Sequence, residues 1–119
     1  GGITTPLYGD KTFTDLMKDI KLPAIVVADG RLGSINRAIL TCEYAKMHGI
    51  DVKAIIVNDT TAVDSFLLKT NVEDMERYIG IPVVAVVPPY QGPDIQKVQL
   101  GWARSFVDSK KVWNTVLGI

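Results

Sequence analysis

The sequence predicts an α/β domain in which a parallel sheet is flanked by helices. Short apolar runs rich in β-branched residues alternate along the chain with longer segments of helical periodicity. Because strands separated by helices are joined by right-handed crossovers, consecutive strands lie parallel in one sheet. The length of 119 residues, of which 47% are hydrophobic and 22% charged, suits a single globular domain.

Three segments have the composition of buried strands, namely residues 24–28, 53–57 and 83–87. Residues 24–28 and 83–87 are continuous apolar runs, and residues 53–57 are apolar after Lys53, as is typical of a parallel strand that is covered on both faces. A sheet usually contains about five strands, so three make a thin one. We therefore expect another strand to pair with at least one edge, and residues 1–119 to form one α/β unit within a larger domain.

The helices are predicted from apolar residues that recur three and four positions apart. A first helix, capped by Thr12 or Thr14, precedes a central helix over about residues 35–48, and the sequence leaves open whether residues 64–69 are helical or irregular. Residues 1–9 have turn and loop composition, and residues 88–93 form a rigid proline-rich loop. The apolar positions that define the later helices are Val72, Met75 and Ile79, then Ile95, Val98, Trp102 and Phe106, and finally Val112, Trp113, Val116 and Leu117.

Composition and motifs exclude several classes of function. The 13 basic and 13 acidic residues give a net charge of +0, whereas nucleic-acid and membrane-surface proteins usually carry a basic excess. No apolar run approaches the ~20 residues of a membrane-spanning helix. The single cysteine, Cys42, cannot form an internal disulfide and is expected in the core. The sequence also contains no Walker A motif and no cluster of metal-ligand residues.

The stretch over residues 22–49 predicts an anion-binding site. A strand leads through the turn Asp29–Gly33 to a helix that begins near Ser34. The first N–H groups of a helix have no internal partner and carry the positive end of the helix dipole, so they attract anions. Ligands of open α/β sheets bind outside the carboxyl ends of the strands. Residues 58–60 and 88–90 leave the same edge, and ordinary turn chemistry is the alternative interpretation of all three segments.

Several motifs together resemble the C-terminal half of dethiobiotin synthetases. They are GGITTPL at residues 1–7, LPAIVVADGRLGSINRAILT at 22–41, IVND at 56–59 and GIPVVAVVPP at 80–89. The resemblance implies a P-loop-type α/β fold and a homodimer. It also implies a magnesium- and ATP-dependent ligase that closes the ureido ring of dethiobiotin on 7,8-diaminononanoate with CO2. Family members are cytoplasmic in bacteria and work in mitochondria when fused to an aminotransferase.

The resemblance also assigns roles to residues. Asn58 and Asp59 would contact adenine, with Pro88, Pro89 and Tyr90 beside the base. Gly1 and Gly2 match the last glycines of a Glu-Gly-Ala-Gly-Gly turn, which places its magnesium-binding glutamate just before residue 1. Gly33, Ser34, Ile35 and Asn36 would receive the substrate carboxylate across the dimer interface. Asn71 aligns loosely with a tyrosine that contacts the same carboxylate in some members.

The departures from the family pattern limit what this chain can do alone. The P-loop of the family and its second phosphate-stabilising lysine are missing from this sequence. No catalytic residue and no metal ligand is therefore expected within the chain. Two other functions fit the residues. One is a related P-loop ligase or amidotransferase domain, for example of the cobyric-acid-synthase type. The other is a non-catalytic α/β binding module.

Overall fold

A computed structural model confirms the α/β class. It describes residues 1–90, 92 and 94–118, without the side chains of residues 106 and 107. Gln91 and Pro93 of the predicted proline-rich loop therefore lie outside the described residues, as does the predicted packing of Phe106.

The elements follow the predicted alternation of strands and helices, with one addition near the start. In chain order they are β1 (Pro6–Tyr8), β2 (Lys11–Thr12), α1 (Phe13–Ile20), β3 (Ala24–Asp29), α2 (Ser34–Met47), β4 (Val52–Asn58), α3 (Ser65–Ile79), β5 (Val83–Val87), α4 (Ile95–Val107) and α5 (Lys110–Leu117). The strand predicted over residues 83–87 is β5, which begins and ends at the predicted residues. The other two predicted strands each extend to a polar residue, Asp29 in β3 and Asn58 in β4.

The main sheet is parallel, with the strand order β3-β4-β5. Asp29 of β3 pairs with Asn58 of β4, and Asn58 pairs with Val87 of β5. The last residues of the three strands are therefore neighbours, and the loops that follow them leave the sheet at one edge. This register confirms the expected parallel arrangement and sets the position of the candidate site.

The prediction that all three strands are covered on both faces is wrong for β3. Val26 and Ala28 pack into the core, but Ile25 and Val27 on the other face are exposed, Val27 by 65%. The reason is the distribution of the helices, because α5 covers that face at β4 and β5 only. Within the described part of the chain, the outer edge of β3 has no partner strand.

The expectation of loop structure over residues 1–9 is also wrong in part. Strands β1 and β2 form a small antiparallel hairpin across the turn at Gly9 and Asp10, in which Pro6 pairs with Thr12. Strands of three and two residues are too short to produce a visible alternation of apolar and polar positions, so their sequence looks like a loop.

Helix α3 settles the question left open for residues 64–69. Asp64 caps the helix, since its carboxylate accepts hydrogen bonds from the backbone N–H groups of Phe66 at 3.0 Å and Leu67 at 3.2 Å. From there the helix runs without interruption to Ile79, and Leu68 and Val72 pack against the core together with Met75. Residues 65–69 are therefore helical and belong to the same helix as the predicted face of Val72, Met75 and Ile79.

Two clusters of apolar side chains hold the layers together. On one face of the sheet, Ile55 and Val57 pack against α2 and α3, through Ala38, Cys42 and Met75. Cys42 is buried, as predicted, and this burial raises the pKa of its thiol. On the opposite face, a smaller cluster is formed by Ala54, Val84 and Val112. Consequently β4 is the central strand in both sequence position and packing.

We predict that Met75→Ala lowers the free energy of unfolding by about 2–5 kcal/mol, because it leaves a cavity where Met75 is fully buried. Met47 is the matched control, since it is also helical but is 81% exposed. Chemical denaturation of both variants measures the difference. Similar losses for Met75→Ala and Met47→Ala would contradict the observed position of the core.

Candidate functional site

The carboxyl edge of the sheet brings together the segments predicted to bind ligands. The turn 29–33 follows β3, residues 58–60 end and follow β4, and residues 88–90 follow β5. A backbone hydrogen bond of 2.9 Å from the N–H of Asp59 to the carbonyl of Val87 continues the ladder beyond the strands. Adjacent loops are thus held in fixed relation at this edge.

The N-terminus of α2 is the best-defined anion-binding feature at this edge. Gly33 is the N-cap residue and adopts the left-handed conformation with φ of 83°, which favours glycine over residues with a side chain. The next residue, Ser34, is only 1% exposed, and its hydroxyl oxygen has no hydrogen-bond partner among the described residues. An unpaired buried hydroxyl costs about 1–3 kcal/mol, so a ligand that bonds it would recover that energy.

Ile35 and Asn36 complete the predicted carboxylate-binding segment. Ile35 is half-buried and packs against the core, whereas Asn36 is exposed. Both lie in the first turn of α2, where backbone N–H groups have no intrahelical acceptor. The structure therefore places all four predicted residues, Gly33 to Asn36, around one helix N-terminus, and their contact with a ligand stays a prediction.

Asp29 organises the charged groups beside this helix. Its carboxylate accepts hydrogen bonds from the backbone N–H of Arg31 at 2.9 Å and from the Arg31 guanidinium at 3.2 Å. The Arg37 guanidinium donates to both carboxylate oxygens, at 3.0 and 2.9 Å. Partial burial alone would raise the pKa of Asp29, but these hydrogen bonds and the two guanidinium charges outweigh it and lower the pKa. Asp29 is therefore ionised at neutral pH.

The turn before α2 is anchored from α3. The side-chain amide of Asn71, which is buried, donates a 3.0 Å hydrogen bond to the carbonyl of Gly30. A Cβ atom on Gly30 would lie 2.8 Å from a terminal carbon of Leu68, so the turn approaches α3 closely. Asn71 thus positions the turn, and its predicted contact with a carboxylate stays untested.

A cleft of about 630 Å³ runs along the free edge of β3 to the start of α2. Its apolar part lies along β3, with Phe13 and Met17 of α1 on the opposite wall. Its polar end is formed by Asp29, Ser34 and Arg37. The cleft therefore joins an unpaired sheet edge to the candidate anion site.

Gly1 and Gly2 line the same cleft. The backbone N–H of Gly2 donates to the Thr5 hydroxyl at 2.8 Å, and the carbonyl of Gly2 accepts from the N–H of Thr5 at 3.0 Å. A Cβ on Gly1 would lie 2.7 Å from the same hydroxyl oxygen. The predicted glycine turn is thus compact and lies on the cleft wall, and its role toward a nucleotide stays a prediction.

The residues predicted to contact adenine lie at the ends of β4 and β5. Asn58 is half-buried, and Pro88 and Tyr90 are exposed beside half-buried Pro89. The carboxylate of Asp59 is buried and accepts hydrogen bonds from the N–H groups of Thr61 at 3.3 Å and Val63 at 3.2 Å.

These positions leave different groups available to a base. Asp59 uses its side chain to hold the loop, so the amide of Asn58 is the more available of the two polar side chains. Next to Pro88, a second cavity of about 190 Å³ lies between β5 and the helices α4 and α5, with Trp102 in its wall.

The described part of the chain has the features of neither a metal centre nor a membrane span. No group of three or more His, Cys, Asp or Glu side chains there is arranged to hold a metal ion. None of the helices it contains combines the length and the apolar character needed to cross a membrane.

Sequence reasoning missed the interaction between Asp29 and Arg37. A signal was present, because Arg37 is a cation only one turn into α2, near the positive end of the helix dipole. Such a placement is unfavourable unless an anion lies close by. The aspartate that ends β3 is the anion in this structure, and the separation of eight positions hides the pair from local pattern analysis.

Proteins with similar sequences indicate the family to which this chain belongs. A family model described as an AAA domain matches residues 1–94. The ATP-dependent dethiobiotin synthetase BioD of Bacillus licheniformis is 41% identical over 88 residues, or 74% of this chain and 37% of the relative. The BioD of Bacillus cereus strain G9842 is 31% identical over 112 residues, or 94% of this chain and 46% of the relative. The chain belongs to the dethiobiotin synthetase family.

The dethiobiotin synthetase BioD of Bacillus subtilis gives a similar match, with 40% identity over 88 residues and 38% of the relative covered. The chain spans less than half the length of these curated relatives. The family motifs quoted above end at residue 89. The match to the Bacillus cereus protein also extends over most of the segment after Gly92. The family resemblance of residues 1–89 is therefore confirmed and extended toward the C-terminal end.

We predict that Asn71→Ala destabilises the protein by about 1–3 kcal/mol, because the carbonyl of Gly30 loses its buried donor. Asn114→Ala, at an exposed position of α5, is the matched control. Urea unfolding measures both free energies of unfolding. An Asn71→Ala variant as stable as the control would show that the turn does not depend on this hydrogen bond.

Proposed function

We propose that the full-length protein is an ATP-dependent dethiobiotin synthetase that closes the ureido ring on 7,8-diaminononanoate with CO2. The observation that carries this proposal is the N-terminus of α2, with the unpartnered Ser34 hydroxyl at the carboxyl edge of the sheet, in a chain of this family. A buried helix N-terminus suits a carboxylate, which is the only anionic group of diaminononanoate. The bacterial origin of the relatives supports a cytoplasmic location.

We infer that ATP is bound at the neighbouring loops. The amide of Asn58 can donate and accept hydrogen bonds together, which suits the edge of adenine. Pro88, Pro89 and Tyr90 offer apolar surface to the base. The backbone of Asp59 joins these two loops through its hydrogen bond to Val87, so both sides of a bound base would be held by one rigid edge.

We infer that another part of the polypeptide pairs with β3 and supplies the catalytic groups missing here. The unpaired edge of β3, the exposed Val27 beside it and the apolar length of the cleft support this assignment. A strand paired with β3 would fill that part of the cleft and leave its polar end open. Magnesium is expected from the family, but the described residues offer no ligand set for it.

We also propose that the protein is a homodimer in which α2 of one subunit binds the carboxylate of substrate held by the other. Two exposed leucines near the start of α2, Leu32 just before the helix and Leu40 within it, support an interface beside the α2 N-terminus.

The full-length protein is expected to form dethiobiotin from 7,8-diaminononanoate, ATP and bicarbonate, and the isolated 119 residues are expected to form none. Product analysis by mass spectrometry, with release of ADP and phosphate in parallel, measures both. Omission of diaminononanoate is the control for background hydrolysis of ATP. Dethiobiotin formation by the 119 residues alone would overturn the assignment of the catalytic groups to another part of the protein.

A second prediction concerns Ser34. In the full-length protein, Ser34→Leu is expected to raise the KM for diaminononanoate at least about tenfold, because a bulky side chain displaces the carboxylate from the helix N-terminus. The KM for ATP is expected to stay within about threefold of its original value, since Ser34 is not among the residues proposed to contact adenine. Ser65→Leu is the matched control, because Ser65 also begins a helix but is exposed. Equal losses for both substrates would count against the assignment.

A further inference from the structure

Arg37 occupies an electrostatically unusual position. It is the fourth residue of α2, so its guanidinium lies at the end of the helix where the dipole repels cations. The guanidinium bends back over the N-cap, since its Nη1 atom lies 3.2 Å from the point where a Cβ of Gly33 would be. It therefore adds a full positive charge to a helix N-terminus that is already positive.

The partner of Arg37 does not neutralise the local charge. Asp29 accepts hydrogen bonds from the guanidinium groups of both Arg31 and Arg37, so one negative charge faces two positive ones. Only Nη2 of Arg37 bonds to Asp29, and no other acceptor among the described residues bonds to this guanidinium. The cluster has a surplus positive charge and unused donors on Arg37.

The two arginines differ in their relation to the cleft. Arg37 lines its polar end together with Ser34, whereas Arg31 is not part of the cleft wall. Both are about equally exposed, 58% for Arg31 and 55% for Arg37, so exposure does not distinguish them. A ligand at the polar end of the cleft therefore lies against the Arg37 guanidinium, which belongs to the cleft wall.

We propose that Arg37 binds the substrate carboxylate and determines the preference of the site for a substrate with an anionic end. This inference rests on the proposed function. Asp29 holds the Arg37 guanidinium over the N-terminus of α2 before substrate arrives. The carboxylate then takes the free donors of Arg37, the Ser34 hydroxyl and the first N–H groups of α2, and it neutralises the surplus charge.

A carboxylate fits this group of donors better than a phosphoryl group. The planar fork of a guanidinium matches the two oxygens of a carboxylate. The segment also lacks the glycine-rich loop and lysine with which P-loop proteins surround phosphates. A phosphoryl ligand is the competing outcome, and it would make ATP binding depend on Arg37.

The test compares 7,8-diaminononanoate with its C1 carboxamide, which has the same shape but no negative charge. Binding of both to the full-length protein is measured by isothermal titration, and the KM values for diaminononanoate and ATP are measured alongside. Arg37→Gln is expected to weaken binding of the acid by about 10- to 100-fold, as for loss of a charged hydrogen bond. Binding of the amide and the KM for ATP are expected to change less than about threefold. Arg37→Lys should lie between Arg37→Gln and the unaltered protein, because it keeps the charge without the fork.

Arg31→Gln is the matched control, since it removes a guanidinium from the same aspartate outside the cleft. It is expected to lower the ratio of acid to amide affinity by less than about threefold, because it removes part of the surplus charge but no donor from the cleft wall. If Arg37→Gln weakens binding of the acid and the amide equally, the role of Arg37 is purely structural and the proposal is overturned. A selective rise in the KM for ATP would also overturn the proposal, because it would indicate a phosphoryl ligand. If the unaltered protein does not bind diaminononanoate, the proposed function itself fails. If Arg37→Gln turns over substrate normally and still prefers the acid to the amide as the unaltered protein does, the proposed role of Arg37 is wrong. The proposed function is not affected by that result.

Discussion

The parallel pairing of β3 and β4 is the constraint on which the candidate site depends. It places Asp29 beside Asn58, and the pairing of β4 with β5 adds Val87 to the same edge. Because the side-chain period of a strand is two, a slip of one residue would exchange the side chains of β4 between the two packed faces of the sheet. Burial of Ile55 and Val57 on one face and Ala54 on the other therefore fixes the register that aligns the ends of the three strands.

Rigidity at this edge comes from polar groups that are satisfied by the protein itself. Asn71 bonds to Gly30, and Asp59 bonds to the N–H groups of Thr61 and Val63, so two of the three loops are tied by buried side chains. The Ser34 hydroxyl is the exception in the described residues. A site in which most polar groups are already paired loses little conformational entropy when ligand binds, and the unpaired group is the one left for the ligand.

Local patterns were sufficient to predict the three strands of the main sheet and the central helix, whose N-terminus is where an anion site is proposed. Each of these depends on neighbours within a few residues. They could not reveal the exposure of Val27, because it depends on which strands α5 covers, nor the bond between Asn71 and Gly30, which are 41 positions apart. The family motifs named Asp59 as a contact of the base, but only the fold shows that its carboxylate is engaged in holding the loop.

The unpaired edge of β3 has consequences for how the site is assembled. An exposed strand edge with apolar residues beside it invites association with other chains, and proteins normally cover such edges. A strand that pairs with β3 in parallel would extend its own carboxyl end to the polar part of the cleft, next to Arg37 and the glycines at the start of the chain. Completion of the sheet would then bring the loop after that strand beside the N-terminus of α2. We infer that the carboxylate site of a subunit depends on the folding of its whole domain, since both depend on the same edge, whereas the catalytic groups that act on the bound substrate would belong to the other subunit.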